Sequence, residues 1–154
     1  MARDEALEGG CLCGRIRYQL SRTPTDVAHC HCSLCRKASG APVVTWATVP
    51  REDVTLAGEP AWFRSSPAAR RGFCPACGTQ LFFALDAEAP ATRPDAPLPA
   101  SGEIDVTVAS LDDPDRCRPT RNIWVGSRLA LVHGFDARLP DFDDEGPLPS
   151  PEAP

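Results

Sequence analysis

Seven of the eight cysteines in this chain stand in three short clusters, and that grouping constrains the fold more than any other feature. Cys11 and Cys13 form a C-x-C pair, Cys30, Cys32 and Cys35 a C-x-C-x-x-C run, and Cys74 and Cys77 a C-x-x-C pair. Thiols two or three residues apart in a turn converge on one point, which is what a soft divalent ion requires. A disulfide framework is the competing reading, but no spacing here favours one set of pairings over another. It also needs an oxidising compartment. The first ten residues, MARDEALEGG, carry charges of both signs and no apolar run, so no secretory signal is expected and the chain is placed in the reducing cytoplasm. Redox-active thiols are the third reading.

The flanking residues sharpen the metal reading. In Cys74-Pro75-Ala76-Cys77-Gly78, Pro75 presets the turn and Gly78 lets the backbone swing away beneath an ion. Cys11-Leu12-Cys13-Gly14 ends in the same way. Each pair supplies two ligands, so a closed four-cysteine zinc site built from Cys11, Cys13, Cys74 and Cys77 is the simplest solution. Cys30, Cys32 and Cys35 remain. Three protein ligands with a vacant fourth position mark a zinc that does chemistry or takes a ligand. The alternative is a histidine that closes the site, with His29 and His31 as neighbours. In an extended segment Cys30 and Cys32 share one face and His31 points to the other, so a solvated or supporting role is expected for His31. His133 lies in an apolar stretch and reads as structural. Cys117 has no partner in sequence and reads as a buried or incidental thiol.

A length of 154 residues suits one compact domain. The net charge of −5 argues against a nucleic-acid or anionic-membrane partner, and no stretch approaches the roughly 18 apolar residues of a membrane helix. Strands are predicted over Arg15–Leu20, Val43–Val49, Val54–Leu56, Ala61–Arg64, Leu81–Leu85, Ile104–Ala109 and Ile123–Val125. A turn is predicted over Ser21–Asp26. Ser33–Ser39 is predicted as one or two helical turns, capped by Ser33 and stopped by Gly40. Short strands separated by Gly, Pro, Asp and Ser, with little helix, indicate a mainly β fold. Glu88–Gly102 reads as a Pro- and Ala-rich loop, and residues 140–154 as a Pro-rich acidic tail behind a single domain spanning 1–139.

The ordered set of motifs resembles the glutathione-dependent formaldehyde-activating enzyme family, whose domain also occurs in centromere protein V. It runs from Gly10-Cys11-Leu12-Cys13-Gly14 through Cys30-His31-Cys32-Ser33-Leu34-Cys35-Arg36-Lys37 and Ser39-Gly40-Ala41 to Phe73-Cys74-Pro75-Ala76-Cys77-Gly78. Ile104 to Pro114, Ile123-Trp124 and Leu139-Pro140-Asp141-Phe142 continue the likeness. The resemblance implies small stacked antiparallel sheets built around a structural zinc, a β-tent-like fold, with two zinc ions per chain. It places Cys11, Cys13, Cys74 and Cys77 on the structural zinc, and Cys30, Cys32 and Cys35 on a catalytic one. Asn122 stands where many members carry His, and Leu131 where many carry Trp; both are candidates to line a ligand pocket.

Three thiolates around Zn²⁺ leave a net charge of 2 − 3 = −1. Such a centre suits uptake of an organic thiol as its thiolate better than the acidification of water. The resemblance implies a carbon–sulfur lyase of the S-(hydroxymethyl)glutathione synthase type, joining a glutathione-like thiol to formaldehyde or a related small aldehyde. Arg36 and Lys37, beside the third ligand, are candidates to meet a carboxylate of that thiol; otherwise they form a solvated basic pair. The alternative is a non-catalytic glutathione carrier or interaction module, which would bind thiol without turnover. A thiol-disulfide or sulfoxide reductase ranks last, since Cys117 is its one available thiol and has no resolving partner.

Overall fold

A computed structural model describes residues 6–85 and 102–133. The acidic tail, residues 139–142 of the resemblance and all but the end of the Glu88–Gly102 loop lie outside the described residues. Two sheets form the body. Strands β1 (Leu7–Gly10), β2 (Arg17–Leu20) and β5 (Val54–Ala57) make an antiparallel three-stranded sheet in the order β1-β2-β5. The larger sheet has seven strands, in the order β10-β3-β4-β9-β8-β7-β6. These are β3 (Asp26–Cys30), β4 (Val44–Pro50), β6 (Ala61–Ser66), β7 (Ala69–Phe73), β8 (Gln80–Leu85), β9 (Glu103–Thr107) and β10 (Arg121–Ile123). The fold is mainly β, with one seven-residue helix, α1 (Ser33–Ser39). Its outer pair β10–β3 is parallel, and the other pairs are antiparallel.

The period-2 alternation of strands gives the larger sheet two unlike faces. Pairing aligns Val27, Ala47, Val106, Phe82, Gly72 and Trp62 in one row across six strands. That face packs with Leu7, Tyr18, Leu20 and Val54 of the smaller sheet into the main core. The opposite face carries Thr48, Asp105, Phe83, Arg71 and Phe63 in the neighbouring row. On this side Cys30, Cys35, Val44 and Trp46 form a second buried cluster, with Phe83, Cys32 and Ile123 packed against it. One sheet therefore has the main core, which includes Cys11 and Cys74, on one face and the Cys30–Cys35 cluster on the other.

Local departures from the sequence reading have local causes. The strand expected over Ile123–Val125 ends at Ile123, because Trp124 turns the chain at φ 57°. The strand expected over Ile104–Ala109 ends at Thr107 and gives way to a 3-10 turn. The helix stops at Gly40 as expected, but its cap is Cys32 instead of Ser33: the Cys32 sulfur accepts the Cys35 amide at 3.2 Å. Strands β1, β3 and β7 carry no expected strand in the sequence reading. In β7, Ala69-Arg70-Arg71-Gly72-Phe73 reads as polar, yet both arginines are buried.

Candidate metal centres

The first centre joins the two Gly-terminated cysteine pairs. Cys11 and Cys74 each open a turn closed by glycine, one residue longer at Cys74: Gly14 N–H donates to Cys11 C=O at 3.0 Å, and Gly78 N–H to Cys74 C=O at 2.8 Å. Gly14 and Gly78 both take φ 77°, in the left-handed region that glycine enters without strain. These turns bring the sulfurs of Cys11, Cys13, Cys74 and Cys77 within 4.8 Å of one another, although the pairs are about sixty residues apart. The Cys11–Cys13 and Cys13–Cys74 sulfur separations are 3.5 and 3.7 Å. The edge of a zinc–sulfur tetrahedron is about 3.8 Å for bonds of about 2.3 Å, so this set fits such an ion. The Thr79 hydroxyl braces the junction, accepting Leu12 N–H at 3.1 Å and lying 3.2 Å from the Cys77 sulfur. Hydrogen bonding to that hydroxyl is the main cause that brings the Cys77 thiol down to about 5, so this ligand is ready in its binding form.

The second centre is built where β3 runs into α1. Cys30 ends the strand, Cys32 caps the helix and Cys35 sits in its first turn, and the three sulfurs lie within 4.8 Å of one another. Cys30 and Cys35 are buried and 3.5 Å apart, while Cys32 is half-buried at the opening. Both terminal nitrogens of Arg71 stand 3.6 Å from the Cys35 sulfur, and the guanidinium lies 5.1 Å from the Phe83 ring. The Cys35 thiol comes down to about 5, first because Cys30 donates to it, then through Cys32 and Arg71. Cys30 is pushed up, because its proton bridges to Cys35 and the site is buried. The buried cation and the bond from Cys30 thus favour Cys35 as the thiolate, the form in which thiols take up a metal. A donor set of three thiols with one accessible side fits zinc with a free position.

Arg71 was missed in the sequence reading, which had no strand at β7 and no signal linking it to a cysteine thirty-six positions away. The two basic residues that were singled out lie elsewhere. Arg36 directs its guanidinium to the backbone carbonyls of His31, at 2.9 Å, and Ser127. It ties the helix to the strand end and to the segment after β10. Lys37 is exposed at the edge of a cleft beside the helix.

No histidine joins either sulfur group among the described residues. His31 is buried, which corrects the solvated option for it, and its Nε2 lies 2.8 Å from Asn122 Oδ1. Asn122 therefore braces this histidine. His29 Nδ1 lies 2.8 Å from the Thr45 hydroxyl. His133 is exposed, against the structural reading. Leu131 is exposed as well. Cys117 is buried in the main core, and burial pushes its thiol up, so this thiol is not an accessible nucleophile. All eight cysteines are unbridged. No helix among the described residues is long and apolar enough to cross a membrane.

Comparison with known proteins gives the family. An uncharacterized lyase of Schizosaccharomyces pombe is 32% identical over 77 residues, 50% of this chain and 56% of that protein. The match spans little more than half of that relative. A crystal structure of a Rhodobacter sphaeroides protein has a TM-score of 0.50, covering 75% of this chain and 98% of its own at 21% identity, and so shares the fold. The profile of glutathione-dependent formaldehyde-activating enzymes matches residues 6–127, the stretch that holds both sulfur groups, and the chain belongs to that family.

Proposed function

We propose that this protein is a zinc-dependent carbon–sulfur lyase of the S-(hydroxymethyl)glutathione synthase type. Cys11, Cys13, Cys74 and Cys77 would hold a structural zinc, and Cys30, Cys32 and Cys35 a second one at the working site. The observation that carries the reading is the second sulfur group, with three thiols, one open side and a buried guanidinium against Cys35. When bound there, zinc would supply a soft Lewis acid that favours an organic thiol in its deprotonated form.

The chain's own residues prepare that event. Arg71 offsets part of the negative charge of three thiolates, where low dielectric makes the charge count. Trp46 and Phe83 lie 6.0 Å apart and help exclude water from the buried side. Half-buried Cys32 marks the side from which reactants arrive. In the reaction, a bond forms between the thiol sulfur and the aldehyde carbon while the carbonyl π bond breaks. The thiol proton ends on the new hydroxyl oxygen, and the reverse reaction cleaves the carbon–sulfur bond.

The test is thiol–aldehyde exchange measured by NMR with glutathione and formaldehyde. Wild-type protein with about two zinc ions per chain should accelerate exchange, and Cys32→Ser should stay folded, lose one zinc and lose the acceleration. Stoichiometric thiol binding without acceleration by the wild type would replace the enzyme with the carrier reading. A metal-free, folded wild type would overturn both.

A further inference from the structure

Beside the three-cysteine centre, helix α1 and strands β6, β7 and β8 enclose a cleft of about 600 Å³. Its walls are apolar, formed chiefly by Leu34, Phe63 and Phe73. Strand pairing explains the assembly: Phe63 lies opposite Arg71, and Phe73 opposite Gln80, all at the outer end of the larger sheet. Three polar residues share this lining, Ser65, Arg71 and Gln80. Each has a buried atom without a hydrogen-bond partner: Ser65 Oγ, Arg71 Nε, and both Oε1 and Nε2 of Gln80.

Buried polar atoms are paired in most folded proteins, because an orphan keeps its full desolvation cost. Four such atoms on three residues around one cleft are therefore unusual, and a guest that pairs with them would recover that cost. Their chemistry describes the guest. Gln80 offers a donor and an acceptor on one group, which an amide answers with its own carbonyl and N–H. Arg71, aided by Lys37 at the rim, favours a carboxylate. Phe63, Phe73 and Leu34 favour an apolar body. Glutathione carries charges at both ends and has no large apolar group to set against these rings.

We propose that this cleft is a binding subsite for an apolar N-acyl amino acid, held beside the three-cysteine centre. The amide would pair with Gln80 after rotation of its side chain, and the carboxylate with Arg71 Nε. The same guanidinium touches Cys35 through its terminal nitrogens, so the guest sits next to the three-cysteine centre. The inference rests on the proposed function in naming the class of thiol served, an N-acylated cysteine derivative with an apolar acyl group. The binding site itself does not depend on turnover.

The experiment uses N-benzoyl-L-alanine, which has an apolar acyl group and no thiol, titrated calorimetrically into zinc-loaded protein. One-to-one binding is expected, and Cys32→Ser should retain it. Gln80→Leu should weaken it at least tenfold while raising Tm, since the variant removes two orphaned atoms and adds apolar contact. A merely structural Gln80 would lower Tm instead. Ala38→Trp, which blocks the cleft from the exposed face of the helix, should abolish binding with Tm nearly unchanged. Absence of binding by the wild type, or equal binding by wild type, Gln80→Leu and Ala38→Trp, overturns the subsite even if glutathione and formaldehyde turn over. Binding without turnover of any thiol retires the catalytic reading and leaves the subsite standing.

Discussion

Arg71 places both terminal nitrogens of its guanidinium 3.6 Å from the sulfur of Cys35, from a strand thirty-six positions away in sequence. The arginine is buried, and its flat face rests near Phe83. A cation in that position lowers the cost of gathering three thiolates. Arg71→Met should weaken zinc binding at the three-cysteine centre by about 10–100-fold, the usual effect of losing a supporting partner. Arg71→Lys keeps the charge without the planar fork and should fall between. Zinc competition with a chromophoric chelator reads both, and an unchanged affinity in Arg71→Met would dismiss the role.

The four-cysteine group draws together two segments that no strand pairing connects directly. Structural zinc in small domains contributes about 10–16 kcal/mol of apparent binding free energy, comparable with the whole stability of a domain this size. Cys11→Ser should therefore lose the cooperative thermal transition seen by circular dichroism, and a strong chelator should have the same effect on the wild type. A variant that melts cooperatively within a few degrees of wild type would show the staple to be dispensable.

Asp105 lies on the sheet face that carries Arg71 and Phe83, and accepts the Thr48 hydroxyl at 2.6 Å. Burial pushes its carboxyl up to about 6, only partly opposed by the Thr48 bond. Its unfolded value is about 3.9, so the folded state holds the proton more tightly. Unfolding free energy should then fall as pH rises from about 4 to about 6, and level off above. Asp105→Asn keeps an acceptor for Thr48 and removes the titration. It should exceed wild type at pH 7 by on the order of 1–3 kcal/mol, with the gap closing towards pH 4. Urea titrations of both proteins measure the difference, in which the metal-linked pH dependence cancels. A gap independent of pH would contradict the assignment.

Gly9 sits in β1 opposite Tyr18, where an added Cβ would lie 2.5 Å from the Tyr18 Cζ and Oη and 2.7 Å from the Ser110 carbonyl oxygen. Tyr18 Oη is in turn 2.8 Å from Ser110 Oγ, and its ring meets Phe82 edge-on. Neither backbone nor ring can yield cheaply at that contact. Gly9→Ala should cost about 1–3 kcal/mol, read as a lower urea midpoint at constant slope. A midpoint equal to wild type would mean that β1 slides freely over the core.

The grouping of sulfurs was legible in the sequence because it is a local property. A C-x-C or C-x-x-C pair followed by glycine turns the chain within five residues, and here two such pairs bring their sulfurs together. The runs of β-branched residues in β4 and the stop at Gly40 are local in the same sense. What sequence spacing could not reveal depends on register between distant strands. Arg70 and Arg71 are neighbours in sequence, yet one lies 4.7 Å from the Trp62 ring and the other 5.1 Å from Phe83, on opposite sides of the sheet. Aromatic faces and, for Arg71, a thiol meet their charges at those places. The partnering of Arg71 with Cys35, the burial of His31 against Asn122 and the orphaned amide of Gln80 arise from cross-strand alignment. Short-range geometry grouped the sulfurs; the stacking of β6, β7 and β8 beside helix α1 chose what surrounds the three-cysteine group.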